Sequence, residues 1–177
     1  MVRALLLLIL PIVLCFCSSK NTEEIQEVNA LQQKLYALEF SFNTIDTIAV
    51  DDAIKDYRKN LALIKKYYND TVDKDFVQLM NKYKGIKKAG RNLSKKDRKD
   101  ISTNIKITKH QLHNLLIEIE SGAMPKDSIS YFVNAEGDKI NKINKDVTSY
   151  VLTCNEVILL DTTLSRKVQD LLNNKND

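Results

Sequence analysis

The chain has 177 residues, with 27 Lys and Arg against 23 Asp and Glu and a net charge of +4. That mild excess excludes a composition built for nucleic acid. No Trp, 4 Gly and 2 Pro among abundant Lys, Glu, Leu, Ile and Asn predict long helices and an all-α fold.

Met1 to Arg3 carries one positive charge and Ala4 to Phe16 is an almost unbroken apolar run, the two opening regions of an export signal. The run is too short to span a bilayer, which takes ~20 apolar residues. Leu14, Cys15, Phe16 and Cys17, followed by Ser18, Ser19 and Lys20, resemble a bacterial lipobox, in which a peptidase cuts just before a lipid-bearing cysteine. Cys17 is then the lipid attachment site. Phe16 stands where a small residue is usual, and choosing Cys15 instead puts Leu14 there. Ordinary cleavage after Ser19 is the alternative, and a retained membrane anchor is the third. The expected organisation is a signal over 1–19 and one helical-bundle domain over 20–177, long enough to bury its own core. With Arg3 gone, 26 of the 27 Lys and Arg remain, and the charge identifies no partner. Cys15 leaves with the signal and Cys17 is capped, so no disulfide framework exists. Cys154 is expected to act as a small hydrophobe on a helix face.

Ile25, Val28, Leu31, Leu35, Leu38 and Phe42 advance by threes and fours and share one helix face. Asn21 is its candidate N-cap, with Glu24 three residues on. Asn43 to Thr47 breaks the phase and supplies capping residues, which places Asp51 and Asp52 in the next first turn, where the helix dipole favours acids. Val50, Ile54, Tyr57, Leu61, Ile64 and Tyr68 form the second stripe. Asn69, Asp70 and Thr71 end it, and Phe76, Met80, Tyr83 and Ile86 begin a third helix whose apolar face fades after Lys87. Ser94 with Asp97 reads as a capping box before Ile101, Ile105, Thr108, Leu112, Leu115 and Ile119. The frame also carries through 87, 90, 94 and 97, so one helix or two fit this stretch.

Gly122 to Asp127 is the clearest turn, with a C-terminal glycine, Pro125 and an Asp-Ser N-cap. Beyond it, positions 129, 133, 136, 140, 143, 147, 150, 154, 157, 161, 164, 168 and 171 keep a four-three alternation, and all but Glu136 and Asp161 are apolar. One helix of ~45 residues, about 65 Å long, is expected. Residues 23–68 and 73–121 have similar reach if their internal breaks are kinks. The expected fold is an elongated antiparallel helical bundle or coiled coil with three long arms, the first two kinked or broken. Folding the first two helices into a hairpin gives instead a shorter four- to five-helix bundle.

Catalysis needs acids, bases, nucleophiles or a metal gathered in a pocket, and the sequence offers little of this. His110 and His113 lack a thiolate or carboxylate at metal-ligand spacing and lie off the Leu112–Leu115 seam. They read as surface residues, and neither a metal nor another cofactor is expected. Glu136 and Asp161 stand ~37 Å apart along one helix, too far for a catalytic pair. Each is expected to salt-bridge a lysine, set register or turn toward water. Tyr57, Tyr67, Tyr68, Tyr83, Tyr131 and Tyr150 are assigned to the core. Lys87 to Asp100 gathers Lys87, Lys88, Arg91, Lys95, Lys96, Arg98 and Lys99 against Asp97 and Asp100. This is either a solvated helix junction or a dock for anionic lipid, lipopolysaccharide or another acidic envelope polymer. In the second case Lys95, Lys96, Arg98 and Lys99 are the candidate ligand-binding residues. No interleaved aromatics point to nucleic acid, and no pattern identifies a small-molecule substrate. Asp46-Thr47-Ile48, Asp127-Ser128-Ile129 and Asp161-Thr162-Thr163 resemble the O-glycosylation sequon of the Bacteroidota periplasm. Thr47 and Ser128 are the candidate glycosylation sites, with Thr162 in mid-helix expected to be less accessible.

The lipobox-like start, Tyr67-Tyr68-Asn69-Asp70 leading into Phe76 and Tyr83, Gln111-Leu112 with Gly122, and Asp127-Ser128-Ile129 opening the last helix together resemble small all-helical lipoproteins of unknown function from Bacteroidota. The resemblance spans most of the chain and implies an envelope address and a helical fold, with no site to carry over. The expected function is non-catalytic. The chain is read as an exported lipoprotein, held at a membrane through its N-terminal lipid on the periplasmic or surface face, that acts as a helical spacer or protein-interaction module with a protein partner or a second copy. The alternative is binding of an anionic envelope ligand through 87–100.

Overall fold

The computed structural model describes residues 21–68, 74–91, 93 and 95–173, without the side chains of Lys95 and Lys96. Over these residues the fold is an all-α helical bundle. Its elements are α1 (Thr22–Asn43), α2 (Thr47–Tyr67), α3 (Lys74–Arg91), α4 (Lys95–Glu120) and α5 (Lys126–Asn173). The signal with Cys17, the stop at 69–71 and the cap at Ser94 lie outside the described residues. Among the described residues no helix is long and apolar enough to cross a membrane.

Helix ends follow local chemistry. Asp46 caps α2, its Oδ1 accepting from the Ala49 N–H at 2.9 Å. The first turn, Thr47 to Val50, therefore holds no acid, which corrects the expected place of Asp51 and Asp52: the cap carboxylate itself meets the dipole. α4 ends in a Schellman motif, in which the Ala123 N–H bonds Glu118 O at 3.1 Å and the Gly122 N–H bonds Ile119 O at 3.2 Å. Gly122 has φ +68°, a conformation that glycine adopts without a Cβ penalty. α5 opens at Lys126, directly after Pro125, and the Ser128 N–H reaches Pro125 O at 2.9 Å. Asp127 and Ser128 thus lie within the first turn rather than capping it, because the helix start has no use for the N–H that proline lacks.

The chain divides into two compact units, one of Met1–Leu35 with Ile107–Ile140 and one of Tyr36–Lys106 with Asn141–Asp177. The first buries Val28, Leu35, Leu112, Leu115, Ile119, Ile129 and Ile140. The second has a core shared by α2, α3 and α5, including Tyr57, Ile64, Tyr83, Ile86, Cys154, Val157 and Val168. The expected stripes match these cores, and every member of the α4 series from Ile101 to Ile119 is buried. On α5 the buried position after Val168 is Leu172 rather than Leu171, the drift of a 3.6-residue helix from a 3.5-residue repeat. Tyr131, assigned to the core, is 72% exposed, since two positions from Ile129 is ~200° around the helix.

Within the second unit, contacts along α5 advance in chain order. Phe42 packs on Tyr150, Asn60 reaches Ser165 by way of Tyr83, and the Tyr68 hydroxyl donates to Leu171 O at 3.1 Å. Past the interruption at 44–46, α2 therefore runs toward the C-terminal end of α5. α3 runs against α2, with Ile54 facing Gly90 and Asn60 facing Tyr83. A Cβ at Gly90 would stand 3.1 Å from Ile54 Cδ1, so glycine lets these two helices close.

Candidate ligand-binding groove

The pairing of α2 with α3 leaves a groove of about 830 Å³ with an apolar floor of Ile54, Tyr57, Leu61, Ile86 and Leu93. Its rim carries Lys55 and Arg58 from α2 and Lys87 and Arg91 from α3, with Asp51 the single acid of the lining. All four cations are exposed. Lys55, Arg58 and Lys87 each follow a floor residue by one position and Arg91 follows Gly90, where α3 closes on Ile54. One position is ~100° around a helix, so the same packing that seats the floor presents the cations at its edges. The facing of Ile54 with Gly90 and of Asn60 with Tyr83 puts Arg58 level with Lys87 across the groove and Lys55 and Arg91 about one turn away. Among the described residues none of the four pairs with a carboxylate. Unneutralised cations over a low-dielectric floor attract an incoming anion. Burial pushes the Tyr57 phenol above its ordinary 10.0, the neighbouring Tyr83 adds to that, and Arg91 pulls it back.

The structure sorts the charges of 87–100 by sign. Lys87 and Arg91 belong to the groove. Arg98 and Lys99, both exposed, line an adjoining hollow of about 390 Å³ with Thr47, Ser102 and Tyr150, which shares Asp51, Ile54 and Leu93 with the groove. Asp97 and Asp100 fall with Asp146 and Lys142 in another hollow of about 380 Å³. Lys95 and Lys96 open α4, and their side chains lie outside the described ones. Of the four expected ligand-binding residues, then, Arg98 and Lys99 come together beside the groove. Its own rim includes Lys55 and Arg58, which carry no signal in the sequence beyond that of solvent-facing charges on an amphipathic helix.

Two other polar centres are internal. Asn60 Nδ2 donates to the Tyr83 hydroxyl at 2.9 Å, Tyr83 lies 3.1 Å from Ser165 Oγ, and Ser165 donates to Asp161 Oδ1. Burial pushes the Tyr83 phenol up, and its bonds to Ser165 and Asn60 pull it back. In the first unit Glu136 is buried and its Oε1 accepts from Lys139 Nζ at 2.6 Å, as the salt-bridge expectation had it. Its Oε2 has no hydrogen-bond partner among the described residues. Asp161 takes a serine in place of a lysine. Cys154 is fully buried, and burial pushes its thiol above the ordinary 9.0 while Tyr150 and Arg98 pull it back. It behaves as the small core residue expected. His110 and His113 are exposed, and among the described residues no group of three His, Cys, Asp or Glu is placed to hold a metal. Thr47 and Ser128 are half-buried at helix starts whereas Thr162 is exposed, the reverse of the expected order of access, because position 162 faces outward on α5. No protein family, curated protein or solved structure matches the chain.

Proposed function

We propose that the chain is a non-catalytic, exported cell-envelope lipoprotein, held at a membrane through Cys17, whose helical body binds an anionic envelope ligand in the α2–α3 groove. The observation that supports the binding role is the set of four cations, Lys55, Arg58, Lys87 and Arg91, around an apolar floor and without carboxylate partners among the described residues. The groove's 830 Å³ falls within the ~300–1,000 Å³ of small-ligand sites. Relative to the sequence reading, the site keeps the start of the basic stretch and gains α2. The address rests on the apolar run at 4–16 and on the lipobox-like Cys17.

A second reading, as helical spacer or interaction module, draws on Phe40, Ile48, Leu152 and Leu159 of the second unit, which are 62 to 74% exposed. Leu152 and Leu159, a heptad apart, share one face of α5 for a partner helix or a second copy.

Isothermal titration of tripolyphosphate into the full-length protein in nonionic detergent tests the groove. Charge reversal at Lys55, Arg58, Lys87 and Arg91 weakens binding at least roughly tenfold, whereas reversal at Lys95, Lys96, Arg98 and Lys99 changes it by less than about threefold. The opposite order, or no binding by the parent chain, refutes the assignment. Intact mass of the membrane-fraction protein tests the address. An acylated Cys17 at the new N-terminus is expected, and an unacylated chain cut after Ser19 sinks the anchor.

A further inference from the structure

We propose that the ligand of the α2–α3 groove is a single-chain anionic amphiphile, with one hydrocarbon tail on the floor and one compact carboxylate or phosphate head between the rim cations. The inference rests on the groove being an anion site and adds the tail. Ile54, Leu61 and Leu93 are only half-buried, so part of the apolar floor stays in water until something covers it. A wholly polar anion would engage the rim and leave that surface wet. A tail removes it from water, which strengthens binding by roughly threefold to fourfold per buried methylene. The rim suits the same ligand, because lysine and arginine stems are themselves hydrocarbon and widen the apolar channel while their heads stay in solvent. Arg58 and Lys87 on opposite walls fit one head, the guanidinium gripping it through paired donors and the ammonium adding a point charge. Asp51 to Leu61 spans about 15 Å of groove, enough for an extended medium-length acyl chain.

A free molecule fits better than a bilayer surface. Asp97, Asp100 and Asp146 line a hollow of the same unit with Lys142, next to the one that holds Arg98 and Lys99, so the cations of the unit are interrupted by acids and do not form one unbroken basic face for an anionic membrane. A single molecule entering between α2 and α3 does not meet them.

Lysine acetylation footprinting of the full-length protein in neutral phosphatidylcholine nanodiscs tests this, with free probe set by equilibrium dialysis and modification read by peptide mass spectrometry. Hexadecanoate and hexadecyl phosphate are expected to protect Lys55 and Lys87 at least fivefold and to leave the exposed Lys126 unchanged. The half-protecting concentration falls roughly threefold per methylene from hexanoate to about dodecanoate, the length that the groove accommodates, and levels off beyond it. Hexadecyltrimethylammonium, with the same tail and the opposite charge, does not protect. Leu61→Asn flattens the chain-length dependence and leaves protection by tripolyphosphate intact. If tripolyphosphate protects as well as hexadecyl phosphate and chain length has no effect, the tail is refuted and the anion site stands. If no probe protects, both fall. If protection appears only when phosphatidylglycerol replaces the nanodisc lipid, the groove is part of a membrane-docking surface and the proposal is overturned.

Discussion

Tyr83→Phe removes a single oxygen from the centre of the second unit and tests how its helices are held in register. Ser165 gives its one proton to Asp161, so the proton between Tyr83 and Ser165 comes from Tyr83. The bonds then run in one direction from Asn60 on α2 through Tyr83 on α3 to Ser165 and Asp161 on α5. Phenylalanine keeps the ring, whose centroid lies 5.0 Å from that of Tyr57, and deletes only the hydroxyl. Asn60, 3% exposed, is left with a buried donor lacking an acceptor, which costs about 1–3 kcal/mol. Ser165 is half-buried and recovers water, so its share is nearer ~0.5 kcal/mol. The expected loss is about 2 kcal/mol. With a urea dependence of about 2 kcal/mol/M, the midpoint falls by about 1 M, and Tm falls by about 4–8 °C. Urea titration followed by far-ultraviolet circular dichroism reads this directly. Adding Asn60→Leu to Tyr83→Phe is expected to recover part of the loss, because two apolar partners leave no orphaned donor. A midpoint for Tyr83→Phe within about 0.25 M of the parent chain, or a double variant worse than the sum of the single ones, would refute this account of the register.

Gly122→Ala forces a side chain to the left-handed φ of +68° and is expected to cost about 1–2 kcal/mol; a thermal melt unchanged by the substitution would count against the Schellman cap. Cys154, with no exposure and its thiol raised by burial, is expected to react with an aromatic disulfide reagent at least ~100-fold more slowly in buffer than in urea, since reaction requires the unit to open; comparable rates would show that the site breathes freely. Burial raises Tyr57, Tyr83 and Tyr150 above 10.0 and Cys154 above 9.0, so the folded state holds these protons more tightly than the unfolded one. The stability they contribute is complete below the unfolded values and is lost as pH rises through the folded ones. The urea midpoint should accordingly be level from ~pH 6 to 8 and fall from about pH 9 upward. A midpoint that rises with pH in that range has the wrong sign.

Hydrophobic spacing reveals which residues meet the core, because burial repeats every three to four positions along a helix. It located the α4 stripe from Ile101 to Ile119 and the α5 stripe as far as Val168. Spacing carries no information on which solvent-facing residues of two helices converge. Lys87 and Arg91 stood out as part of a charge run, while Lys55 and Arg58 did not, although they form the other wall of the same groove. A charge run also hides its own partition, since α4 carries Asp97 and Asp100 to one hollow and Arg98 and Lys99 to another within four residues. Asn60 drew no notice as one polar residue beside an apolar stripe, and only Tyr83, 23 positions away, makes it an anchor. Tyr131 is the converse case, since its aromatic character suggests burial whereas its phase, two positions from Ile129, turns it to solvent.

The one-position offset between the groove cations and Ile54, Tyr57, Ile86 and Gly90 separates two kinds of constraint on α2 and α3. Ile54, Tyr57, Ile86 and Gly90 answer to helix packing, and a change there is felt by the whole unit. Lys55, Arg58, Lys87 and Arg91 face solvent, and surface substitutions of this kind usually alter stability by within about 0.5 kcal/mol. The scaffold can therefore keep its shape while the rim drifts from cationic to neutral to acidic. If the groove binds an anion as proposed, its ligand preference is free to diverge among descendants of such a chain long before the fold shows any sign of change.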